Sequence, residues 1–223
     1  MNTPDWDSRR RIAEDITEAA GLTPLVRLRR VAVGPQSLCG KLEFVNPSSS
    51  LKDRILRHMV SKAEERGELR PRMTILEAST GSTGIATAMI GAVKGYPVTI
   101  VMPEGMSVER KDSLRAYGAD LVLTPGGESD VDLCFEKVAQ LKLGSPGKFW
   151  EAAQFSNTDN IEAHYLTTGP EIWEQTGGEV DVFVASQGSG GTISGVGRYL
   201  KEHNPKVKIY TVEPAECPIL SGG

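Results

Sequence analysis

Short apolar runs alternate with amphipathic segments along most of the chain. The apolar runs predict strands at residues 73–78, 97–103, 120–125, 180–186 and 206–214. Helix-like spacing predicts helices at 51–66, 83–94, 107–117, 129–142 and 191–203, with Ser107 capping the third of them. Strands that alternate with helices are typical of parallel sheets, so the pattern predicts an α/β fold.

Two loops rich in glycine and hydroxyl residues each join a predicted strand to a predicted helix. They are residues 79–84 (STGSTG) and residues 187–192 (QGSGGT). Ligands of open α/β sheets bind beyond the carboxyl ends of the strands, where both loops lie. We therefore expect two open parallel-sheet domains that face one cleft, with junctions near residues 45 and 150.

A third segment, NPSSSLKDR (46–54), follows a strand-like run, GKLEFVN, and opens the helix 51–66. Ser50 is placed to cap this helix with Asp53 as its acidic partner. Lys52 then falls in the first turn, where the helix dipole disfavours a cation. On this local pattern an exposed surface lysine is the commoner outcome. The alternative is an amine whose pKa is lowered by burial and the helix terminus, which would make it a nucleophile.

Each glycine loop also has two interpretations. Hydroxyls and backbone N–H groups at a helix N-terminus suit an anion such as a carboxylate in loop 79–84, and a phosphate in loop 187–192. Either loop could instead be a plain tight turn. Loop 187–192 is not a dinucleotide or P-loop fingerprint, because Ile193 stands where the last glycine of GxGxxG would be and no GK[ST] follows.

Composition narrows the class of protein. The chain has 223 residues, 39% hydrophobic and 24% charged, with a net charge of −4, which is ordinary for a soluble globular protein and argues against nucleic acid as a partner. No apolar run is long enough to span a bilayer, and the charged N-terminus lacks the apolar core of a signal peptide. Cys39, Cys134 and Cys217 are far apart, so we expect reduced thiols in a cytoplasmic protein and no metal site.

Taken together, these segments resemble one family. The stretches KLEFVNPSSSLKDR, EASTGSTGIATAMIGAVKGYPVTIVMPEGMSVERKDSLRAYGADLVLT, QFSNTDNIEAHYLTTGPEIWEQTGG, DVFVASQGSGGTISGVGRYL and VEPAECPILSGG are similar to O-acetylserine sulfhydrylase (cysteine synthase) and to cystathionine β-synthase. Both are pyridoxal-phosphate enzymes of fold type II, the tryptophan synthase β-like fold. The resemblance runs in family order from about Gly21 to Gly223.

The resemblance implies a role for each matching position. Lys52 would hold pyridoxal 5'-phosphate as a Schiff base and shuttle the proton. Further cofactor-binding residues would be Ser82, Gly188, Ser189, Gly190, Gly191 and Thr192. Residues binding the substrate carboxylate would be Ser79, Thr80, Gly81, Thr83 and Gln154.

The resemblance also implies an activity and an architecture. The reaction would be a β-replacement that makes L-cysteine from an O-acylated serine and a sulfur donor, in a homodimer. Residues 1–45 and 151–223 would form a larger, discontinuous domain that binds the cofactor phosphate. Residues 46–150 would form a smaller domain that carries the carboxylate loop. Because family members continue well beyond the last residue here, we expect a chain truncated at its C-terminus.

One departure from the family keeps alternatives open. Ser82 stands where the family has an asparagine that contacts the ring oxygen of the cofactor. Relatives with serine there can cleave cysteine, so a cysteine desulfhydrase, or elimination and replacement of the cystathionine β-synthase type, is one alternative. A catalytically silent binding relative is another. A nucleotide-binding Rossmann protein is disfavoured, because the chain lacks the glycine fingerprint and the ribose-binding acid.

Overall fold

The computed structural model describes residues 3–31, 37–127, 130–216, 218 and 220–222. The strands are β1 (Leu25–Arg27), β2 (Cys39–Lys41), β3 (Thr74–Ala78), β4 (Val98–Pro103), β5 (Asp120–Thr124), β6 (Phe149–Glu151), β7 (Val182–Ser186) and β8 (Lys208–Val212). The α-helices are α1 (Lys52–Glu65), α2 (Ser82–Lys94), α3 (Val108–Ala116), α4 (Val131–Gly144), α5 (Asp159–Leu166), α6 (Thr168–Gln175) and α7 (Gly191–His203).

The chain divides into two compact units. The first unit comprises Met1–Arg11, Leu22–Leu42 and Gln154–Gly223. The second unit comprises Ile12–Gly21 and Glu43–Ala153. The segment Ile12–Gly21 belongs to the second unit, whereas the resemblance implies that residues 1–45 all belong to the larger domain.

The second unit is built on one parallel sheet with strand order β5-β4-β3-β6. Every residue of the two central strands, β3 and β4, is buried, as expected for a parallel sheet covered on both faces. On β4, Val98 and Ile100 lie against glycines of α2, whereas Val101 belongs to a cluster with residues of α4. Alternate strand residues point to opposite faces, so α2 and α4 cover opposite faces of the sheet.

The first unit contains an antiparallel pair, β1–β2, and a parallel pair, β7–β8. Helices α5, α6 and α7 pack against one another, and α7 also packs on the parallel pair. The core of this unit brings together buried residues of α6, α7 and the segments before β7 and β8: Ile172, Val180, Val196, Tyr199, Leu200 and Val207. Loop 187–192 thus joins β7 to α7, a helix that packs against α5, α6 and the β7–β8 pair.

A buried ion pair connects the segment Leu22–Leu42 of the first unit to α6. Lys41 Nζ lies 2.6 Å from Glu171 Oε2 and also donates to Gln175 Oε1 at 2.9 Å. The Glu171 carboxylate accepts the backbone N–H groups of Leu22 and Thr23 as well. Because Glu171 is only 2% exposed, this network fixes the path of the chain into β1 from the interior.

The α/β prediction with parallel sheets is confirmed, and so is the cap at Ser107, whose hydroxyl accepts from the Arg110 N–H. The strand-like interpretation of GKLEFVN is wrong beyond Lys41, because Glu43–Val45 form a 3-10 turn. The Asn46 side chain closes that turn by donating to the Glu43 carbonyl at 2.8 Å. The helices α5 and α6 were not predicted.

Three further observations bear on the class of protein. Within the described part of the chain, no helix is both long and apolar enough to cross a membrane. Over the same residues there is no cluster of three or more histidine, cysteine or acidic side chains that could hold a metal ion. Cys39 is exposed and Cys134 is buried, both as free thiols, while Cys217 lies outside the described residues.

Candidate active site

Lys52 is the first residue of α1 and is partly buried. Its backbone N–H donates to Ser50 Oγ at 3.1 Å, so Ser50 supports the start of the helix. Burial lowers the pKa of Lys52, and the negative charge of Glu77 opposes that shift. A larger share of the side chain is therefore the neutral amine than in an exposed lysine, and the neutral amine is the nucleophilic form.

Glu77 is a functional candidate that the sequence analysis missed. It lies in β3, is 2% exposed, and its Oε2 accepts the Ala153 N–H at 2.9 Å. Acidic side chains are almost never fully buried without a partner. A single acid inside the apolar run MTILEA was the signal that could have identified it. Glu77 therefore acts on the pKa of Lys52 through its charge and is held by a hydrogen bond from Ala153, the last residue of the second unit.

The turn before Lys52 is held by a different pair from the one predicted. Asp53 accepts the Ser48 N–H at 2.7 Å and also the Ser48 hydroxyl, so its partner is Ser48 and not Ser50. Burial raises the pKa of Asp53, and the bonds from Ser48 act against that rise. Between them Ser49 adopts a left-handed conformation with φ of 63°. The predicted capping box does not form, because Asp53 accepts from Ser48, two residues before Ser50.

Loop 79–84 is organised around the hydroxyl of Ser79. Ser79 is 6% exposed, and its Oγ accepts the N–H groups of Gly84 at 2.9 Å and Gly81 at 3.2 Å. It thereby caps α2 from three residues before the helix begins. A Cβ at Gly84 would lie 3.3 Å from the Ser79 Cβ, so glycine permits this close turn. Ser79 serves the turn as an acceptor, and its own hydroxyl donates within the same loop, to the Gly81 carbonyl at 3.4 Å.

The remaining residues of this loop differ in exposure. Thr83 is buried, whereas Ser82, the first residue of α2, is exposed. The carbonyl of Thr80 accepts from Arg110 Nη1 at 3.0 Å. Arg110, in α3, was not among the predicted residues, and it places a cation at a loop whose α2 amides already favour an anion. The loop can therefore hold a carboxylate.

Loop 187–192 ends at the start of α7. Gly190 precedes the helix in a left-handed conformation with φ of 79°, and the first helical bond runs from the Ser194 N–H to its carbonyl at 3.1 Å. The amides of Gly191 and Thr192 come before that bond and have no partner within the helix. A Cβ on Gly188 or Gly190 would meet no described atom within 4 Å, so this side of the loop is open.

Helix α5 supports loop 187–192 from behind. Asn160 Nδ2 donates to Ser189 Oγ at 2.8 Å and to the Gln154 carbonyl at 2.9 Å. One turn further along, His164 is 1% exposed, and its Nε2 lies 3.1 Å from Thr192 Oγ1. Neither residue was predicted to contribute, although both lie in the stretch that resembles the family. Through these two hydrogen bonds, Asn160 connects the backbone of Gln154, a residue 7% exposed, to Ser189 of the loop.

Each unit by itself thus holds one group of predicted site residues. The second unit holds Lys52, Ser79, Thr80, Gly81, Ser82 and Thr83, and the first unit holds Gln154, Gly188, Ser189, Gly190, Gly191 and Thr192. The groups fit the chemistry of pyridoxal phosphate. Open glycines, a hydroxyl and helix amides suit its phosphate, and an amine of lowered pKa suits its carbonyl carbon.

Comparison with known proteins identifies the family of the chain. Residues 16–223 match the family described as "Pyridoxal-phosphate dependent enzyme". The chain is 47% identical over 217 residues to cysteine synthase 3 of Caenorhabditis elegans, covering 96% of this chain and 64% of that protein.

Two solved structures are similar in both sequence and fold. O-acetyl serine sulfhydrylase isoform 3 of Entamoeba histolytica is 45% identical with a TM-score of 0.91, over 100% of this chain and 66% of the other. A hydrogen sulfide-producing enzyme of Fusobacterium nucleatum is 42% identical with a TM-score of 0.90, over 95% and 70%. The chain spans about two thirds of the length of these relatives. It belongs to the pyridoxal-phosphate-dependent enzyme family, in the group that contains the cysteine synthases.

Proposed function

We propose that the protein is a pyridoxal-phosphate-dependent cysteine synthase, which makes L-cysteine from an O-acylated serine and a sulfur donor by β-replacement. The observation that carries the proposal is Lys52, a partly buried lysine at the start of α1 whose pKa is lowered by that burial. An exposed structural lysine would keep its ordinary pKa and its charge. The relatives named cysteine synthase and O-acetyl serine sulfhydrylase support the choice of reaction.

Bound pyridoxal phosphate would supply an electron sink for the α-carbon of the amino-acid substrate. Lys52 would hold the cofactor through Nζ and, once displaced by the substrate amine, take the proton from the α-carbon and later return it. A partly buried amine of lowered pKa suits both tasks, because its neutral form is the nucleophile and the base. The negative charge of Glu77 would stabilise the ammonium that forms when Lys52 accepts the proton.

Residues of the two loops would bind and orient. Loop 79–84 would hold the substrate carboxylate with the first amides of α2, and Ser79 would shape the loop through its hydrogen bonds with Gly81 and Gly84. Gln154 would assist at the same carboxylate. Loop 187–192 would hold the cofactor phosphate with the α7 amides and the hydroxyls of Ser189 and Thr192. Binding at the phosphate would fix the cofactor without taking part in the reaction at the α-carbon.

The domain roles, dimer and location follow as parts of the same proposal. The second unit would be the substrate-loop domain and the first unit the cofactor-phosphate domain. We expect a cytoplasmic homodimer that uses a small amino acid and a sulfur donor. Light scattering on the purified protein measures the assembly, and a monomeric mass would contradict the dimer.

Borohydride reduction in the presence of pyridoxal phosphate, followed by peptide mass mapping, tests the assignment of Lys52. We expect the pyridoxyl adduct on Lys52 and cysteine formation from O-acetylserine and sulfide, with both lost in Lys52→Ala. Lys62, on the same helix and paired with Glu65 at 2.9 Å, offers the matched control Lys62→Ala, which should retain both. An adduct on any other lysine, or a protein that takes up no cofactor, would contradict the proposal.

A further inference from the structure

Helices α5 and α7 approach each other closely at two glycines of α7. A Cβ built on Gly195 would lie 2.4 Å from the Ile161 carbonyl oxygen, and one on Gly191 would lie 2.0 Å from Asn160 Oδ1. Real Cβ atoms do not sit at such distances, so a side chain at Gly195 would meet backbone and one at Gly191 would have to displace the Asn160 side chain. The contact brings the side chain of Asn160 directly behind loop 187–192.

The orientation of the Asn160 amide is fixed by its surroundings. Its Nδ2 faces the Gln154 carbonyl, which can only accept, so the nitrogen and not the oxygen must lie on that side. The second Nδ2 proton goes to Ser189 Oγ at 2.8 Å. Asn160 is 2% exposed, and its Oδ1 has no hydrogen-bond partner among the described residues. A buried acceptor left in this way is costly, which stability alone does not explain.

The bond from Asn160 determines what the Ser189 hydroxyl can do. A hydroxyl has one proton and accepts through its lone pairs. Because Ser189 Oγ accepts from Asn160, its own proton is directed to a different acceptor. Ser189 stands just before Gly190, at the positive end of α7, where an anion is favoured. The side chain is thereby prepared as a donor at an anion site.

We propose that Asn160 is a positioning residue that turns the Ser189 hydroxyl toward the cofactor phosphate and holds the main chain of Gln154 in the same arrangement. The inference rests on the proposed function, because it takes loop 187–192 as the phosphate site. Asn160 touches neither cofactor nor substrate. Its buried side-chain amide connects Gln154 to Ser189. Loss of this amide would therefore weaken phosphate binding without removing any group that contacts the phosphate.

The test compares two ligands that differ only in the phosphate. Cofactor-free wild type, Asn160→Ala and a control, Asn204→Ala, are titrated with pyridoxal phosphate and with pyridoxal. Asn204 caps the C-terminal end of α7, at the opposite end of that helix from the loop, and accepts the Lys206 N–H at 3.0 Å. We expect Asn160→Ala to bind pyridoxal phosphate about tenfold more weakly and pyridoxal unchanged, as for the loss of a bond to a charged group. Asn204→Ala should bind both like wild type.

A double-mutant cycle with Ser189→Ala identifies the route. If Asn160 acts through Ser189, Asn160→Ala should have little further effect on pyridoxal phosphate affinity once the hydroxyl is gone. If Asn160→Ala weakens the binding of pyridoxal phosphate and pyridoxal equally, the inference is overturned. Independent effects of Asn160→Ala and Ser189→Ala on pyridoxal phosphate affinity would overturn it as well. A lower thermal melting temperature of Asn160→Ala would not alter either conclusion. Failure of wild type to bind pyridoxal phosphate would instead contradict the proposed function, and the inference with it.

Discussion

Glu77 places a buried negative charge within electrostatic reach of Lys52, and it raises the pKa that burial lowers. The pKa of Lys52 is therefore lower than that of a surface lysine, but higher than burial alone would make it. A group that must be neutral to attack and must later carry a proton benefits from that balance. Glu77 is held in place by the Ala153 N–H at 2.9 Å, so the balance depends on the backbone where β6 leads out of the sheet.

We expect Glu77→Gln to shift the pH dependence of cofactor capture to lower pH. Without the negative charge, protonated Lys52 is less stable, so its pKa falls further and the neutral amine is populated at lower pH. Gln keeps the size and can still accept the Ala153 N–H. The capture rate is followed by visible absorbance against pH. Glu151→Gln, in the neighbouring strand β6, is the control and should leave the profile in place; an unchanged profile in Glu77→Gln would refute the coupling.

We expect the two adjacent glycines of loop 187–192 to differ in their effect on stability. Gly190→Ala forces a left-handed alanine, which costs about 1–2 kcal/mol, but its Cβ meets nothing. Gly191→Ala drives a Cβ into Asn160, and overpacking of this kind costs about 1–3 kcal/mol in addition to any loss of cofactor affinity. Urea unfolding of cofactor-free protein measures both. Gly188→Ala, with open space and no left-handed φ, should be close to neutral; a larger loss there than at Gly191 would contradict the packing argument.

We expect Ser82→Asn to change the ratio of cysteine synthesis to cysteine breakdown. Ser82 is exposed at the start of α2, so a longer amide fits without repacking. A neutral hydrogen bond contributes about 0.5–1.5 kcal/mol, which corresponds to about 2- to 12-fold in rate. Steady-state assays of both reactions on wild type and Ser82→Asn measure the ratio. If the ratio stays the same, Ser82 is a neutral substitution.

We expect Lys41→Met to destabilise the protein by about 3–5 kcal/mol, because it leaves the buried Glu171 carboxylate without its cation. The free energy of unfolding from urea titration gives the value. The exposed residue Lys206 provides the control, and Lys206→Met should change the stability by less than about 0.5 kcal/mol. A similar small change in Lys41→Met would show that the first unit does not depend on this pair.

The helices of the second unit and its strands β3, β4 and β5 could be predicted because they bury apolar faces, whereas the three-residue strand β6 was not predicted. The runs that became β3 and β4 are wholly buried, and burial on both faces produces a continuous apolar run in the sequence. Helix α5 could not be predicted in this way. Its buried residues are Asp159, Asn160, Ala163 and His164, so the face it buries is largely polar and shows no apolar stripe.

The predicted site residues other than Gln154 lie in the three segments 46–54, 79–84 and 187–192, whereas the residues that support them do not. Glu77 meets Ala153 across 76 positions, and Asn160 meets Ser189 across 29. Local spacing carries no information about such pairs, since the fold alone brings them together. A lone acid within an apolar run marks a position to examine but does not name its partner.

The close contact between α5 and α7 has a consequence for protein engineering. Loop 187–192 cannot be transplanted alone into another scaffold, because its glycine and serine are shaped against an asparagine about thirty positions earlier. A graft would have to carry residues 154–203 as one segment, which contains α5, α6, β7 and α7. Recombination within this stretch should therefore separate Asn160 from Ser189 and weaken ligand retention.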